Sequence, residues 1–532
     1  MRKTAITVML AFAAITGYAQ SAYDGLLFSE DNYEGTARSV AMGNAFTALG
    51  GDLGSITLNP AGSAVAGYSQ FTITPGMTFS ASTAQGVSPF DDGTLPYFEK
   101  RMESRMSSFS IPNMGLTLNW DSGRTSGLKN VTFGFISNKS ADFNQDVYAK
   151  GLNSTTTFMG AMAVEANGYL ASDLNSSGAY DYYPWSTVMG YQSGMISTFG
   201  GNDDEYVGAS ELVFDNGDIV LGGDIEQKYG RRVTGGKHDY LFNLGGNISD
   251  FLYIGANIGI TSLDYGYDEY FKEEAVDPAD FEIALDNGDY MYFSQMKYRY
   301  WYSAEASGIY AKIGAILTPG YGLRIGAAIQ TPTTNTILER WQYSGSTEFT
   351  SSAYNGYANS PEGEYSYAFN SPFKANLGVA YTIGNFAILS ADYEYCDYSQ
   401  MKFMEEYGAN SDYFEDVNGT IKEIFGAQNV WRFGAELKLG ALALRGGYGF
   451  SNSPEKHFNG PYRSNMSFGL GYSSKGSFFA DFAIRKNTYN NEYYMPYADY
   501  IFNEDDTIAE PVPELVITRS DWKALLTFGW RF

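Results

Sequence analysis

Apolar and polar residues alternate along most of this chain. Near the C-terminus Phe532, Trp530, Phe528, Leu526, Ala524 and Trp522 fall on one parity, and Arg531, Thr527, Lys523, Asp521 and Arg519 fall on the other. A period of two marks a strand with one face toward an apolar medium and the other toward water. The same split sets Trp431, Phe433, Ala435 and Leu437 against Arg432, Glu436 and Lys438, and Leu323, Ile325, Ala327 and Ile329 against Arg324 and Gln330. Phe478, Ala480, Phe482 and Ile484 likewise oppose Asp481 and Arg485. Fourteen such segments can be drawn between residues 69 and 532. Every second connection is tight, at 121–127, 249–250, 319–320, 384–385, 439–440 and 474–476, with Pro319-Gly320 and Gly384-Asn385 supplying hairpin turn chemistry. The connections between them, at 84–105, 149–237, 268–296, 344–364, 404–428, 452–462 and 490–514, are all longer. A soluble sandwich accounts for one such strand. Short turns on one rim and long loops on the other predict an all-β chain, a 14-stranded antiparallel transmembrane β-barrel.

Residues 35–62, GTARSVAMGNAFTALGGDLGSITLNPAG, break this pattern. Ala37, Val40, Ala41, Asn44, Ala45 and Ala48 recur at helical spacing and trace a stripe of small side chains. Gly50-Gly51 is expected to stop the helix, Asp52 to cap a second short turn through Gly54 and Ser55, and Asn59 to be extended before Pro60. The order Arg38, Gly43, Ala45, Asp52, Asn59, Pro60, Ala61 resembles the N-terminal hatch of the FadL/TodX family, outer-membrane transporters for long-chain fatty acids and other hydrophobic compounds. The chain departs from that pattern at 47–51, where the link is longer. Two further segments resemble the same family: Gly134, Phe135, Ile136, Ser137, Asn138 and Lys139, where such barrels kink and open a gap in the wall, and Ser390 to Tyr395 with Tyr398, Ser399 and Gln400, which look like the ninth strand. The resemblance implies a helical hatch in the lumen, a pocket beside it and a side exit. Ser137, Asn138, Lys139 and Asp142 interrupt the alternation of the third strand. They fit either a bend that opens the wall or a strand that has already left the membrane.

Composition agrees with a barrel. The 532 residues include 60 Gly, 44 Tyr and 36 Phe, as many short strands with aromatic girdles require. Residues 1–19 carry Arg2 and Lys3, an apolar run and a small-residue end, the pattern of a secretory signal peptide. Gln20, not a cysteine, stands directly after the cleavage site, so a lipoprotein anchor is not expected. The organisation read here is 1–19 signal peptide, 20–68 hatch and 69–532 barrel, with a long extracellular insertion at 149–237. A terminal aromatic, Phe532, with Trp530 and Phe528 at alternate positions, resembles the signal handed to the barrel assembly machinery.

Charge and chemistry narrow the function. A formal net charge of −26 argues against nucleic acid. The acidic clusters at 203–205 and 504–506 read as solvated loops, with divalent bridging to lipopolysaccharide as the rival, and the DNGD segments at 215–218 and 286–289 read as Asn-Gly turns, not calcium loops. The only histidines, His238 and His457, are expected in solvated loops. An enzyme therefore has little to work with, and neither metal nor cofactor is expected. The lone Cys396 reads as a small half-buried side chain. Arg432, Glu436, Arg445, Asp481 and Arg485 are lumen-facing candidates. The expectation is a monomeric barrel in the bacterial outer membrane, bathed in lipid and lipopolysaccharide, that passively takes up a hydrophobic small molecule. A general porin for polar solutes and a surface-binding, adhesive barrel are the alternatives.

Overall fold

The computed structural model describes residues 21–88, 97–214, 217–285, 288–408, 411–458, 460–474, 477–503 and 505–532. The expected signal peptide at 1–19, part of each DNGD segment and Glu504 lie outside the described residues. The alternating segments form fourteen antiparallel strands: β1 (Gln70–Gly86), β2 (Met102–Asp121), β3 (Leu128–Asp142, continued by Gln145–Asn153), β4 (Ile225–Ile248), β5 (Leu252–Ala275), β6 (Tyr290–Gly320), β7 (Leu323–Gln330, continued by Thr334–Phe349), β8 (Gly363–Asn370, continued by Lys374–Ile383), β9 (Ala387–Asp397, continued by Lys402–Glu405), β10 (Ala427–Leu439), β11 (Leu442–Asn452), β12 (Pro461–Ser473), β13 (Phe478–Tyr489) and β14 (Leu515–Arg531). Gln70 of β1 pairs with Thr117 of β2 on one side and with Arg531 of β14 on the other, so the sheet closes on itself. The expected fold is the one observed.

Closure follows from the two parities and the turns. Outward positions such as Trp431, Phe433, Leu526 and Trp530 are exposed and apolar, while Arg432, Glu436, Asp481 and Lys523 on the other parity are buried inside. At the tight rim Ser249 and Asp250 take positive φ of 59° and 53°, and the Asp250 N–H donates to Asn247 Oδ1 at 2.9 Å. Two consecutive left-handed residues match the twist of the flanking strands and fix the register of the β4–β5 hairpin.

On the long-loop side several strands continue well past any bilayer. β4 and β5 each have 24 residues and β6 has 31; at about 3.3 Å per residue these far exceed the roughly 30 Å of a hydrocarbon core. The strands also run further into the predicted insertion at 149–237 than alternation suggested: β3 reaches Asn153 and β4 begins at Ile225, which leaves 154–224 as the insertion proper. The reason lies in burial. Val147, Ala149, Ile225 and Tyr229 pack beneath the insertion, so these strand ends lack the apolar-out, polar-in contrast that marks the rest.

Residues 154–214 and 217–224 form a cap over the long-loop mouth. Helices α4 (Phe158–Ala166) and α5 (Trp185–Gln192), numbered after three helices of the N-terminal segment described below, bury Met159, Met162, Val188 and Met189 against Phe271, Phe293 and Tyr298 of the barrel. Trp185 sits 5.7 Å from Trp341 of β7, ring centre to ring centre. A buried polar clasp fastens the cap. Near the outer end of β5 the Glu273 carboxylate accepts from the Thr157 hydroxyl at 2.5 Å, the Phe158 N–H at 2.8 Å and the Gln227 amide at 2.7 Å. In the cap, Glu211 accepts from the Gly208 N–H at 2.8 Å and from the Tyr500 hydroxyl at 3.5 Å.

Burial pushes Glu273 and Glu211 each up to about 7, against the pull of these hydrogen bonds. Both carboxyls are then protonated with the cap closed and return toward their ordinary 4.5 when it opens. Cap docking should therefore weaken as pH rises from 4.5 through about 7 and level off above, since a raised folded-state pKa favours the closed form at low pH. Hydrogen exchange of residues 154–224 is expected to be at least about tenfold faster, opening for opening, at pH 8 than at pH 5, and Glu273→Gln should reduce that dependence, with Glu211 supplying the remainder; equal opening at both pH values would contradict it.

Candidate functional site

The lumen is filled by the chain's own N-terminus. Helix α1 (Ala22–Ser29) starts at a capping box in which the Asp24 N–H donates to Ser21 Oγ and the Ser21 N–H donates to the Asp24 carboxylate. It lies in the outer half of the barrel, with Leu26 and Phe28 in a cluster with Trp341, Tyr367, Phe369 and Phe403. Phe414 of α6 (Asp412–Ile424), in the β9–β10 loop, closes the same cluster. The chain then descends. Asp31 is clasped between Lys237 at 2.6 Å and Lys374, and further down come α2 (Ala37–Ala41), α3 (Ser55–Leu58) and a 3-10 turn at Pro60–Val65, which leads into β1.

Helix α2 is shorter than the predicted stripe, and the stop comes at Gly43-Asn44, not at Gly50-Gly51. Gly43 and Asn44 have φ of 64° and 58°, and the Asn44 side chain donates to the Tyr33 carbonyl at 2.7 Å, which holds the left-handed turn. The backbone here runs against the wall, where a Cβ on Gly43 would come 2.9 Å from the Phe433 carbonyl. Asn59 is extended before Pro60, with φ −140° and ψ 112°, and its side chain caps the 3-10 turn by accepting from the Ala61 N–H at 3.1 Å.

Inward-facing glycines make this seating possible. A Cβ on Gly447 of β11 would come 2.1 Å from the Gly43 nitrogen, and one on Gly326 of β7 would come 2.1 Å from the Thr47 carbonyl. At Gly434, Gly255 and Gly314 the clash would be with Met42, Pro60 and Asn59. Backbone against backbone at this distance tolerates no side chain. The wall also binds the segment's carbonyls: Lys312 donates to Thr57 at 2.8 Å, Asn257 to Ile56 at 2.9 Å, Asn243 to Pro60 at 3.0 Å and Arg324 to Leu49 at 2.6 Å. Such pairing is what a buried irregular backbone requires. Cavities of about 10 and 20 Å³ remain beside Asp31, room for a water or so.

Arg38, Ala45 and Asp52 and the inward-facing Arg432, Glu436, Arg445, Asp481 and Arg485 fall in this interface. Arg38 donates to Glu436 at 2.9 Å; Glu436 also accepts from Arg445 at 2.6 Å, and Arg445 donates on to Asp481 at 2.5 Å. Arg432 donates to Glu394 at 2.8 Å and lies over the Tyr33 ring, and Arg485 donates to the Tyr33 carbonyl at 3.0 Å. Ala45 is fully buried. Asp52 accepts from the Thr36 hydroxyl at 2.6 Å and the Gly54 N–H at 2.8 Å. Trp530 stacks on Phe71 of β1, Phe528 is half-buried on the outer face, and Phe532 pairs through its N–H with the Ser69 carbonyl at 3.0 Å. His457 is exposed, whereas His238 is half-buried in β4, paired across the sheet with Lys139, and not in a loop. Cys396 is fully buried, where half-burial was expected.

One seam interrupts the wall. Strands β2 and β3 pair from Asp121 with Asn130 as far as Asn113 with Asn138 and no further. Above that point β2 stays with β1 up to Met102, and β3 stays with β4 through Asp142 and on to Asn153. Between them β3 slips register at Lys139/Ala141, breaks at 143–144 and turns inward behind β1. There Asp142 accepts from Thr78 at 3.2 Å and Gln145 donates to Ser82 at 3.2 Å. Pro112 stands at the start of the separation and Pro75 at a register slip beside it in β1; neither has an N–H to give to a ladder. The N-terminal segment meets the seam through Asn32 and Glu34, whose N–H groups donate to the Ser140 and Lys139 carbonyls at 2.6 and 3.0 Å. The Glu34 carboxylate pairs with Lys523, which lies 3.4 Å from Asp142, itself 2.9 Å from Lys139. Asn59, Pro60 and Ala61 lie away from this break and pack lower, against β4, β5 and β6, where Gly255 and Gly314 admit them.

Among solved structures the chain is similar to a Pseudomonas aeruginosa FadL homologue, at 11% identity, 95% of this chain and 99% of that chain covered and a TM-score of 0.51. This is the FadL-type fold. The toluene transporter TodX of P. putida is similar at 11% identity, with 94% and 99% covered and a TM-score of 0.50. No protein-family model and no curated protein matches the sequence. The resemblance to FadL-type barrels thus rests on architecture, since at this identity side chains are free to differ.

Sequence reasoning missed α1 and the charged contacts of Asp31 and Glu34. The Ser21–Asp24 spacing signals a helix start, and Pro75 and Pro112 inside strands signal the seam. If the inward glycines seat the N-terminal segment, Gly326→Val or Gly447→Val should unseat it. A cysteine at Ala45, inert to a bulky thiol reagent in the parent, is expected to label at least about tenfold faster in those variants, since overpacking costs about 1–3 kcal/mol or more; unchanged labelling would count against the seating.

Proposed function

We propose that this chain is a passive outer-membrane transporter of a hydrophobic small molecule, with the N-terminal segment as hatch and the β2–β3 seam as lateral exit. The observation that carries it is the end of β2–β3 pairing at Asn113 and Asn138, beside a lumen that the hatch fills. With the axial path blocked, a solute that enters from the long-loop side leaves sideways. In hydrocarbon an unpaired backbone group costs several kcal/mol, so a wall separates only where other protein groups or a polar cavity take over. Ser108, Asn144 and Thr78 supply such groups here.

The short-turn rim is then periplasmic and the cap faces outward. A greasy solute gains about 0.8 kcal/mol per methylene on reaching hydrocarbon; its obstacle is the hydrated, charged lipopolysaccharide surface. The aromatic cluster around α1 offers a first apolar stop, and the seam offers a way into the bilayer without passing the hatch. The fold likeness to a toluene transporter and a FadL homologue supports the substrate class, hydrophobic and small. Ser137, Asn138, Lys139 and Asp142 form the bend, and Glu34 with Lys523 holds the hatch against it. No energy source or cofactor enters. A porin would need an open lumen, and an adhesin would carry its function in the cap alone.

The seam is directly testable. Asn144 Nδ2 and Ser108 Oγ lie 3.5 Å apart across it. A Ser108→Cys/Asn144→Cys disulfide should reduce uptake of a labelled hydrophobic tracer by at least about tenfold while the barrel stays folded and heat-modifiable, and reduction should restore it. Full uptake in the crosslinked protein would overturn the lateral exit.

A further inference from the structure

One apolar groove lies on the outside of the barrel. It is shallow and open, crosses the outer face over β8 to β12 and has a volume of about 650 Å³, within the range of roughly 300–1,000 Å³ typical of ligand sites. Its rim is made by Tyr381, Leu389, Phe433, Tyr448 and Phe468, and its floor by Ala435 and Gly446. No charged side chain lines it.

Gly446 is the unexplained residue. The wall glycines at 434 and 447 face inward and make room for the hatch, but Gly446 faces outward, its φ is not left-handed, and a Cβ there would meet nothing within 4 Å. Neither the backbone nor packing requires a glycine. A glycine inside a strand weakens it and often marks a place where a ligand approaches closely. Its cross-strand neighbours are Ala435 and Phe468, so the floor is low between aromatic walls.

Depth selects the occupant. Gly446 is the fifth residue of β11, which starts at Leu442 beside the β10–β11 turn. With about 3.3 Å per residue and strands tilted by about 40°, it sits about 10 Å above the short-turn rim, in the lower half of a hydrocarbon layer about 30 Å thick. That half holds the acyl chains of the periplasmic leaflet. Tyr381, two residues from the end of β8 at Ile383, is the hydroxyl nearest the headgroup level.

We propose that this groove is a binding site for one acyl chain of a periplasmic-leaflet glycerophospholipid, retained in fixed register against the wall. The chain packs over Ala435 and Gly446 while Tyr381 meets the ester region. On the inner face of the same wall, Gly434 and Gly447 receive Met42 and Gly43, so the lipid backs the part of the wall on which the hatch rests. The site depends on the membrane placement argued above and not on transport.

Native mass spectrometry of the full chain, extracted from outer membranes in mild detergent, tests it. The parent should carry one glycerophospholipid per barrel. Ala435→Leu/Gly446→Leu, which fills the groove, should lower that occupancy at least fivefold with heat-modifiability unchanged, whereas Ala327→Leu on the outer face of β7 should not. Gly446→Leu alone, whose side chain enters open space, should give the same direction of change and stands in if the double variant fails to assemble. No retained lipid in the parent, equal retention in the filled variants, or retention of lipopolysaccharide in place of phospholipid would each overturn the proposal.

Discussion

A backbone in hydrocarbon has no water to bond to, and that constraint organises this molecule. Every strand must find two neighbours, so the sheet closes on itself through β1 and β14. Closure turns one face of every strand inward, and the inward face must then be either wet or filled. Here it is filled, by α1 in the outer half and by the short helices of residues 37–65 below. The filling is itself irregular backbone with the same need for partners, which Lys312, Asn257, Asn243 and Arg324 meet from the wall.

Two kinds of contact divide the task of holding the N-terminal segment in the lumen. Inward glycines let backbone approach backbone, which fixes position without directional bonds. Buried ion pairs then fix orientation: Arg38 with Glu436, Asp31 with Lys237 and Lys374, Glu34 with Lys523. Removing one partner of such a pair costs about 3–5 kcal/mol because the other charge stays buried. The pairs at Asp31 and Glu34 flank the seam, so the segment that fills the lumen also touches the place where β2 and β3 part.

Much of this was legible in the alternation. The last strand could be assigned residue by residue, since Trp530 and Leu526 face out and Thr527 and Lys523 face in, and the turns carried their own chemistry. The pattern failed where a strand has no lipid on either side. Val147 and Tyr229 pack under the cap, so alternation alone makes the insertion longer than it is, and His238, near the long-loop end of β4, reads as a loop residue although it is paired within the sheet. The helical stripe from Ala37 to Ala48 overruns its stop because the decisive contact ties Asn44 to the carbonyl of Tyr33, which lies outside the stripe. Pairings such as Asp31 with Lys374 join residues far apart in sequence, and nothing local announces them.

The central claim is that the barrel passes hydrophobic solutes while its own N-terminus keeps it closed to water. Planar-bilayer conductance tests this most directly, comparing the full chain with a variant in which residues 22–65 are deleted. The account predicts near-zero steady conductance for the full chain and a large, stable pore for the deletion. A full chain that conducts ions steadily, like an open porin, would contradict it.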